Sequence, residues 1–349
     1  MIRVMAVFDA DIDFATRFAD YVNEKVKVPF TAMAFSDRER LVGYGTDHEI
    51  EILLVDEKAG DLADSVRARQ VIQLCEGDAA EMKENRPSIY KYQSGDGIMR
   101  EVMACYCDRA MAPDLALFGG KAAVLGIFSP VNRCLKTSFA LALGQLLSKG
   151  EAVLYLSLEA YSGLSKLMGK EHERDLSDVL YLYRQGEYHW MKLKSMIYSW
   201  EKLEYIPPVR YGEDLNQVTS QDMALLIEKI ARESGYDKVL LDMGHMGREA
   251  LPLLEICDVI YMPVRNDCVS RAKLEEFEEY LKTADGGVVM ERIHRLKLPY
   301  NSAFGKQGNY LEQLLWGELG DYVRQMLQGR QMEICEADRT GEEGKGYGR

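Results

Sequence analysis

Lys136 and Thr137 are the residues whose types and spacing point most directly to chemistry. They follow an apolar run at 122–128 and a short polar loop, and an apolar helical pattern starts after them. A strand, a loop ending in Lys-Thr and a helix are the context of a phosphate-binding loop, whose motif is G-x-x-x-x-G-K-[ST]. Pro130 and Leu135 occupy the two glycine positions of that motif. The sequence therefore predicts the architecture of a nucleotide site with an altered loop.

A second apolar strand supplies another group that such a site needs. The strand pattern at 235–242 ends in Asp242. In this arrangement Lys136 would reach the β- and γ-phosphates, and Thr137 would bind Mg²⁺ through its hydroxyl. Asp242 would hold the same ion through water. The helix that begins near Lys136 would add the positive end of its dipole.

The elements before this site alternate between strand and helix. We predict strands at 3–8, 30–35, 51–55, 71–75 and 88–93, and helices at 11–26, 37–44 and 97–110. Alternating units of this kind imply a parallel sheet covered by helices on both faces. Residues 1–110 form the first predicted domain.

The second predicted domain spans 121–329, after a linker at 111–120 that contains Pro113 and a Gly-Gly pair. We predict its strands at 122–128, 152–159, 235–242 and 257–265, and its helices after Lys136 and at 176–186, 189–201, 220–234, 270–282 and 310–327. This pattern is a doubly wound sheet of α/β class. The tail at 330–349 is acidic and rich in glycine, and we expect it to be disordered.

Composition narrows the class of protein. The chain has 349 residues, a formal net charge of −13 and 47% hydrophobic residues. The charge argues against a broad nucleic-acid surface, which needs clustered Lys and Arg. Seven cysteines without C-x-x-C pairs indicate neither a zinc site nor a disulfide framework. Because there is no apolar run of 18 residues and Asp9 interrupts any signal sequence, we expect a cytoplasmic protein with no integral membrane segment.

The first domain resembles a response-regulator receiver domain. Receivers gather acidic side chains at the ends of their first and third strands, and Asp9 and Asp56 occupy roughly those places. The match is degenerate, because Phe8 stands where the first acid would be. The resemblance makes Asp9 and Asp56 candidate phosphoacceptor residues. The alternative is that both are only caps at the ends of strands.

The second domain resembles the MinD/ParA-type ATPases. Residues 236–242, Tyr-Asp-Lys-Val-Leu-Leu-Asp, are similar to their Tyr-Asp-x-Val-Ile-Ile-Asp strand, and residues 129–138 align without gaps onto their deviant Walker A loop. The resemblance implies binding of ATP with Mg²⁺, with Thr137 and Asp242 (through water) at the metal. Glu159 takes a candidate catalytic position. The residues assigned to the nucleotide lie at the end of the loop: Arg133, Leu135, Lys136, Thr137 and Ser138.

The departures from that family predict weakened function. Val131 replaces the lysine that crosses the family's dimer interface, and Asn132, Arg133 and Leu135 replace loop glycines. Glycine there permits positive φ and lets N–H groups close on phosphate, whereas leucine resists that conformation by roughly 1–2 kcal/mol. We therefore expect binding with weak or no hydrolysis, or a phosphate loop that no longer binds.

A degenerate receiver followed by a MinD-like domain resembles the layout of TadZ/CpaE-type proteins. This resemblance implies a localisation and assembly hub for Flp (tight-adherence) pili. It also implies a homodimer with pilus-assembly proteins as partners, at the inner face of the membrane or the cell pole. The alternatives are a nucleotide-free scaffold, a partitioning-type ATPase and a regulator phosphorylated at Asp56.

Overall fold

The computed structural model describes residues 3–25, 28, 30–77, 86–109, 120–244, 250–284, 286–300 and 310–329. Over these residues the chain divides into two compact units. The first comprises Met1–Ala122, His172–Arg210 and Leu226–Asp237, and the second Ala123–Glu171, Tyr211–Leu225 and Lys238–Arg349. The predicted linker, apart from Gly120, and the predicted disordered tail lie outside the described residues. The predicted domain boundaries therefore remain a prediction.

A five-stranded parallel sheet is built from the N-terminal part of the chain. Its strands are β1 (Arg3–Phe8), β2 (Phe30–Phe35), β3 (Ile50–Asp56), β4 (Ala68–Cys75) and β5 (Ser88–Tyr90). The helices between and after them are α1 (Ile12–Lys25), α2 (Arg38–Asp47), α3 (Leu62–Ser65) and α4 (Gly95–Arg109). The order β2-β1-β3-β4-β5 is that of flavodoxin-type folds. Every residue of β3 is buried, as expected for a central parallel strand.

A second sheet of seven strands carries the loop before Lys136. Its strands are β6 (Ala123–Ile127), β7 (Val153–Ser157), β8 (Tyr198–Trp200), β9 (Leu203–Ile206), β10 (Lys238–Asp242), β11 (Val259–Pro263) and β12 (Ile293–Leu296). Their order is β12-β11-β6-β10-β7-β9-β8, and the pairings of β6, β7, β10, β11 and β12 are parallel. The predicted α/β class is confirmed, with a parallel first sheet as expected; the second sheet is mixed, because β8 and β9 pair antiparallel.

Ten helices are described after β6, some of them short. They are α5 (Lys136–Leu147), α6 (Leu164–Met168), α7 (Leu176–Arg184), α8 (Trp190–Lys194), α9 (Ser220–Glu233), α10 (Leu251–Glu255), α11 (Cys268–Thr283), α12 (Gly287–Glu291), α13 (Tyr310–Trp316) and α14 (Glu318–Leu327). Nearly every residue of α5 is buried, because the sheet lies on one side and α13 and α14 pack on it as well. A helix that is apolar all round is typical of such a position.

Two helix predictions were wrong in part. The predicted helix at 189–201 ends at Lys194, and the residues after it form β8, which pairs antiparallel with β9. Glu201 turns this hairpin with a φ of 52°. The predicted helix at 310–327 is broken at Gly317, whose backbone is extended and begins α14. Strands β9 and β12 were not predicted.

Register brings the candidate site together. Asp242 at the end of β10 lies opposite Ile127 of β6 and Ser157 of β7. The carboxyl ends of these three parallel strands therefore meet at one edge of the sheet. The loop after β6, the carboxylate of Asp242 and Glu159 just beyond β7 share that edge, which is where ligands bind in open α/β sheets.

Candidate functional site

The loop between β6 and α5 has a left-handed backbone at two positions where the resembled deviant Walker A loop has glycine. Arg133 and Leu135 have φ values of 55° and 64°. Among the described residues they are two of the three non-glycine residues with positive φ. Such positions cost about 1–3 kcal/mol each and cluster at functional sites. The strain is therefore concentrated in the loop that the sequence singles out.

Internal hydrogen bonds hold this loop in place. The Ser129 hydroxyl accepts a hydrogen bond from the Val131 backbone N–H at 3.1 Å, and the Cys134 thiol donates to the Val131 carbonyl at 3.1 Å. Leu135 precedes α5 and provides no side-chain cap for its first turn. The backbone N–H groups in the first turn of α5 therefore receive no hydrogen-bond acceptor from the Leu135 side chain. Such N–H groups can bind an anionic ligand.

Lys136 is buried and already has two partners. Its Nζ donates to the Met243 carbonyl at 3.1 Å and lies 3.6 Å from Glu159 Oε1. The lysine therefore points to the edge of the sheet where a phosphate would sit. Its charge is compensated from within the chain, by an acidic group that the sequence assigns to the same site.

Asp242 is fully buried at the end of β10. Its Oδ2 accepts a hydrogen bond from the Tyr155 hydroxyl at 2.9 Å. Burial raises the pKa of Asp242 to about 6, while the hydroxyls of Thr137 and Tyr155 act to lower it and the charge of Glu159 acts to raise it. The carboxyl is therefore mostly ionised at pH 7, although it titrates close to neutrality.

The oxygen groups around Asp242 fit a magnesium ion. Asp242 Oδ1 is buried and has no hydrogen-bond partner among the described residues. A buried carboxylate oxygen is costly unless it is paired, so this atom suits a cation or its water. Thr137 and Glu159 add further oxygens nearby, and Mg²⁺ prefers oxygen ligands. The described residues contain no cluster of three or more His, Cys, Asp or Glu for a metal, and Mg²⁺ usually relies on few protein ligands together with phosphates.

The remaining predicted residues take different positions. Ser138 lies next to Thr137, but its hydroxyl is 2.8 Å from that of Tyr310 on α13. The Arg133 side chain is exposed beside the loop. Val131 is buried, so its side chain belongs to the loop's own packing. The nucleotide roles of these residues remain predictions.

Sequence reasoning missed two groups that complete the site. The Met243 carbonyl is a backbone acceptor, which residue types do not reveal. Tyr155 had a signal: a phenol in the middle of a buried strand needs a hydrogen-bond partner. Its position opposite Leu240, two residues before Asp242, makes the carboxylate that partner.

The receiver-like residues also gather at strand ends. Lys91 Nζ forms an ion pair with Asp9 Oδ2 at 2.7 Å. Burial acts to lower the pKa of Lys91, but the hydrogen bond and charge of Asp9 and the charge of Asp56 outweigh it and raise this pKa. Asp56 Oδ1 accepts from the Lys58 N–H at 2.9 Å and so caps a 3₁₀ turn. Asp56 therefore acts as a cap and Asp9 pairs with Lys91, while the phosphoacceptor role of both aspartates remains a prediction.

Five parallel strands of the second unit carry a strand, a loop and a helix in the order that a phosphate-binding loop requires: β6, β7, β10, β11 and β12. Neither a protein-family model nor a curated protein matches the sequence. Among solved structures, the chain is similar to a putative plasmid partition protein from Borrelia burgdorferi B31 bound to AMPPNP (13% identity, 62% of this chain and 93% of that one, TM-score 0.42). It is also similar to a ParA family ATPase from Chlorobium tepidum TLS (17%, 60% and 90%, 0.43). A third is the septum site-determining protein MinD with Mg-ADP from Pyrococcus horikoshii OT3 (17%, 53% and 72%, 0.40).

No helix in the described part of the chain is long and apolar enough to cross a membrane.

Proposed function

We propose that this chain binds ATP with Mg²⁺ at the loop before α5 and hydrolyses it slowly or not at all. The observation that carries the proposal is the left-handed backbone at Arg133 and Leu135. Both residues stand where the resembled loop has glycine, and strained residues of this kind cluster at functional sites. The buried Lys136 and Asp242 at the same edge of the sheet support it.

The residues divide the work of binding. Lys136 and the first turn of α5 would hold the phosphates, with Arg133 adding charge at the rim. Thr137 and, through water, Asp242 would hold Mg²⁺, which neutralises charge on the β- and γ-phosphates when it is bound. Lys136 must leave Glu159 and the Met243 carbonyl to do this, which lowers affinity.

Slow hydrolysis follows from the same contacts. Glu159 is the candidate for orienting a water molecule, yet its carboxylate lies 3.6 Å from Lys136 Nζ. Val131 is buried within the loop and offers no second cation to a neighbouring subunit's nucleotide. Both features favour binding over turnover.

We propose further that the chain is a TadZ/CpaE-like assembly hub for Flp pili. Nucleotide occupancy would modulate its dimerisation or its binding of pilus-assembly proteins, in the cytoplasm at the inner face of the membrane or the cell pole. The flavodoxin-type sheet ahead of the P-loop-type unit supports this layout. Pairwise binding tests against the products of neighbouring genes check it. If none of the pilus-assembly proteins encoded there binds the chain, the pilus assignment fails.

Equilibrium binding of ATP and ADP with Mg²⁺ tests the nucleotide proposal. We expect the wild type to bind and Lys136→Ala to lose at least tenfold in affinity, since a charge-assisted contact contributes about 1.5–3 kcal/mol. Lys149→Ala is the matched control, because Lys149 is an exposed lysine at the other end of α5. No wild-type binding at millimolar ATP would leave a nucleotide-free scaffold.

A phosphoryl-accepting role for Asp56 is the second candidate. The observation that favours it is that Asp9, Asp56 and Lys91 all lie at the same ends of the parallel strands β1, β3 and β5. Radiolabelled acetyl phosphate with Mg²⁺ should label the wild type, and Asp56→Ala should abolish the label. An unlabelled wild type would leave both carboxylates as structural groups.

A further inference from the structure

A fully buried phenol lies beside the candidate magnesium site. Tyr155 is in β7, where every residue is buried, and no part of its side chain reaches the surface. Val153, Leu154 and Leu156 around it in the strand are apolar. A phenylalanine would pack at this position without a polar atom that needs a partner. Packing alone therefore does not account for the hydroxyl.

Strand register places this hydroxyl next to Asp242. Tyr155 pairs with Leu240 of β10, and Ser157, two residues further on, pairs with Asp242. Residues two apart in a strand share one face of the sheet, so the side chains of Tyr155 and Asp242 lie on the same face. The phenol is protonated at neutral pH and donates a hydrogen bond to Asp242 Oδ2 at 2.9 Å. The tyrosine therefore holds one of the two oxygens of the carboxylate.

The other oxygen of this carboxylate stays unpaired. Asp242 Oδ1 is buried and has no hydrogen-bond partner in the part of the chain that the structure describes. The hydroxyl of Thr137, the second proposed magnesium ligand, acts on the same carboxylate. A hydrogen bond to one oxygen restrains rotation of the carboxylate, and outer partners of this kind orient the groups that bind a metal. The contact with Tyr155 therefore also fixes where Oδ1 lies.

We propose that Tyr155 is a positioning residue for Mg²⁺, which holds Asp242 Oδ2 so that Oδ1 stays available to the ion or its water. This role rests on the proposed function, and Tyr155 itself touches neither the ion nor the nucleotide. The alternative is that the hydroxyl only stabilises a buried carboxylate. In that case its removal would change the stability of the fold but not the preference of ATP binding for Mg²⁺.

The Mg²⁺ dependence of ATP binding tests this role. The dissociation constant of ATP is measured with Mg²⁺ and in EDTA, and the ratio of the two constants gives the coupling between ATP and the ion. We expect this ratio to be about ten times smaller in Tyr155→Phe than in the wild type, because loss of an outer partner costs roughly 10–100-fold in metal affinity. The affinity in EDTA should not change. Equal ratios in the two proteins would overturn the proposal.

Two further variants separate positioning from packing. Tyr205→Phe removes the hydroxyl of another fully buried tyrosine, which pairs with His172 Nε2 at 2.8 Å, and should leave the ratio unchanged. Tyr155→Phe combined with Asp242→Asn should lower the ratio no further than Asp242→Asn alone, because the tyrosine acts through that carboxylate. A further loss in the double variant, or an equal loss in Tyr205→Phe, would contradict the positioning role.

Binding of Mn²⁺ without nucleotide distinguishes this proposal from the nucleotide proposal. The free ion is followed by electron paramagnetic resonance, and Asp242→Asn identifies the binding that belongs to this site. We expect Tyr155→Phe to bind Mn²⁺ about tenfold more weakly than the wild type. If the wild type binds Mn²⁺ but no ATP, the nucleotide proposal fails and the Mn²⁺ affinities alone decide the role of Tyr155. A wild type that binds ATP equally with Mg²⁺ and in EDTA, and does not bind Mn²⁺, overturns that role and leaves ATP binding intact.

Discussion

A buried lysine beside a carboxylate is the residue-scale feature that both candidate sites share. Lys91 pairs with Asp9 where the strands of the first sheet end. Lys136 lies beside Glu159 where the strands of the second sheet end. A buried ion pair contributes little net stability, yet removal of one partner leaves the other charge without compensation. We therefore expect the fully buried pair of Lys91 and Asp9 to be the more sensitive of the two to a single substitution.

Lys91→Met should destabilise the fold by about 3–5 kcal/mol, because it strands the carboxylate of Asp9 in the interior. The side chains of Lys91 and Asp9 are 5% and 1% exposed. Lys58→Met is the matched control, since Lys58 and Glu76 form a pair that is 65% and 35% exposed and should matter by less than about 1 kcal/mol. Urea denaturation of both variants checks this. If Lys91→Met lowers the free energy of unfolding as little as Lys58→Met does, Asp9 is not held as a buried anion.

Asp242→Asn should change the pH dependence of stability. The pKa of Asp242 is raised from 3.8 to about 6 on folding, mainly by burial. The folded state therefore holds the proton more tightly, and the contribution of this group to stability falls as pH rises from about 4 to about 6. Above that range the asparagine variant should be more stable than the wild type, by at most about 3 kcal/mol.

Denaturation of the wild type and Asp242→Asn at several pH values between 4 and 7.5, without nucleotide, gives the difference curve. The curve should rise through this interval and then level off. The variant should also lose Mg²⁺-dependent ATP binding, since Asp242 is the carboxylate proposed to hold the ion. A difference that does not vary with pH would mean that Asp242 titrates normally.

At the scale of elements, the strand–loop–helix that carries Lys136 follows from its apolar pattern. The five parallel strands of the first sheet and the end of β10 at Asp242 were predictable in the same way. The β8–β9 hairpin was not, because its strands are three and four residues long and are set by pairing with each other. The contact of Lys136 with the Met243 carbonyl could not be predicted from the sequence either, since every residue has a backbone carbonyl.

Leu135→Gly tests whether the left-handed backbone at this position destabilises the folded loop, since glycine adopts that conformation without strain. Leu135→Ala is the matched control, because it removes the same side chain but keeps the Cβ at a φ of 64°. The glycine variant should be more stable than the alanine variant by about 1 kcal/mol. It should also bind ATP more tightly than the wild type, because the N–H groups can approach phosphate more closely. Equal stability of the two variants would show that the left-handed backbone is not a source of strain.

At the scale of the whole molecule, the two sheets carry candidate sites of the same construction. Each site lies where parallel strands end and has a buried aspartate at the end of a central strand, Asp9 in one sheet and Asp242 in the other. Each also has a lysine whose charge is compensated by a carboxylate of the same chain. Under the proposed function, the contact between Lys136 and Glu159 would slow turnover, because a phosphate must first displace the lysine.

Of the two effects proposed for nucleotide, the effect on self-association should be weak, and the effect on binding of other proteins should be the larger one. In the loop, Val131 is buried where the resembled family has a lysine that reaches the partner's nucleotide, so one cross-subunit contact is missing. Loss of a charge-assisted contact of about 1.5–3 kcal/mol removes most of the reason for ATP to tighten a dimer. We expect sedimentation equilibrium with ATP and Mg²⁺ to give a dimer dissociation constant within about threefold of the value without nucleotide, which is less than 1 kcal/mol. Lys136→Ala, measured alongside, should be indifferent to ATP. A tightening of tenfold or more in the wild type alone would mean that another residue replaces the missing lysine across the interface, and Arg133, exposed on the same loop, would be the first to substitute.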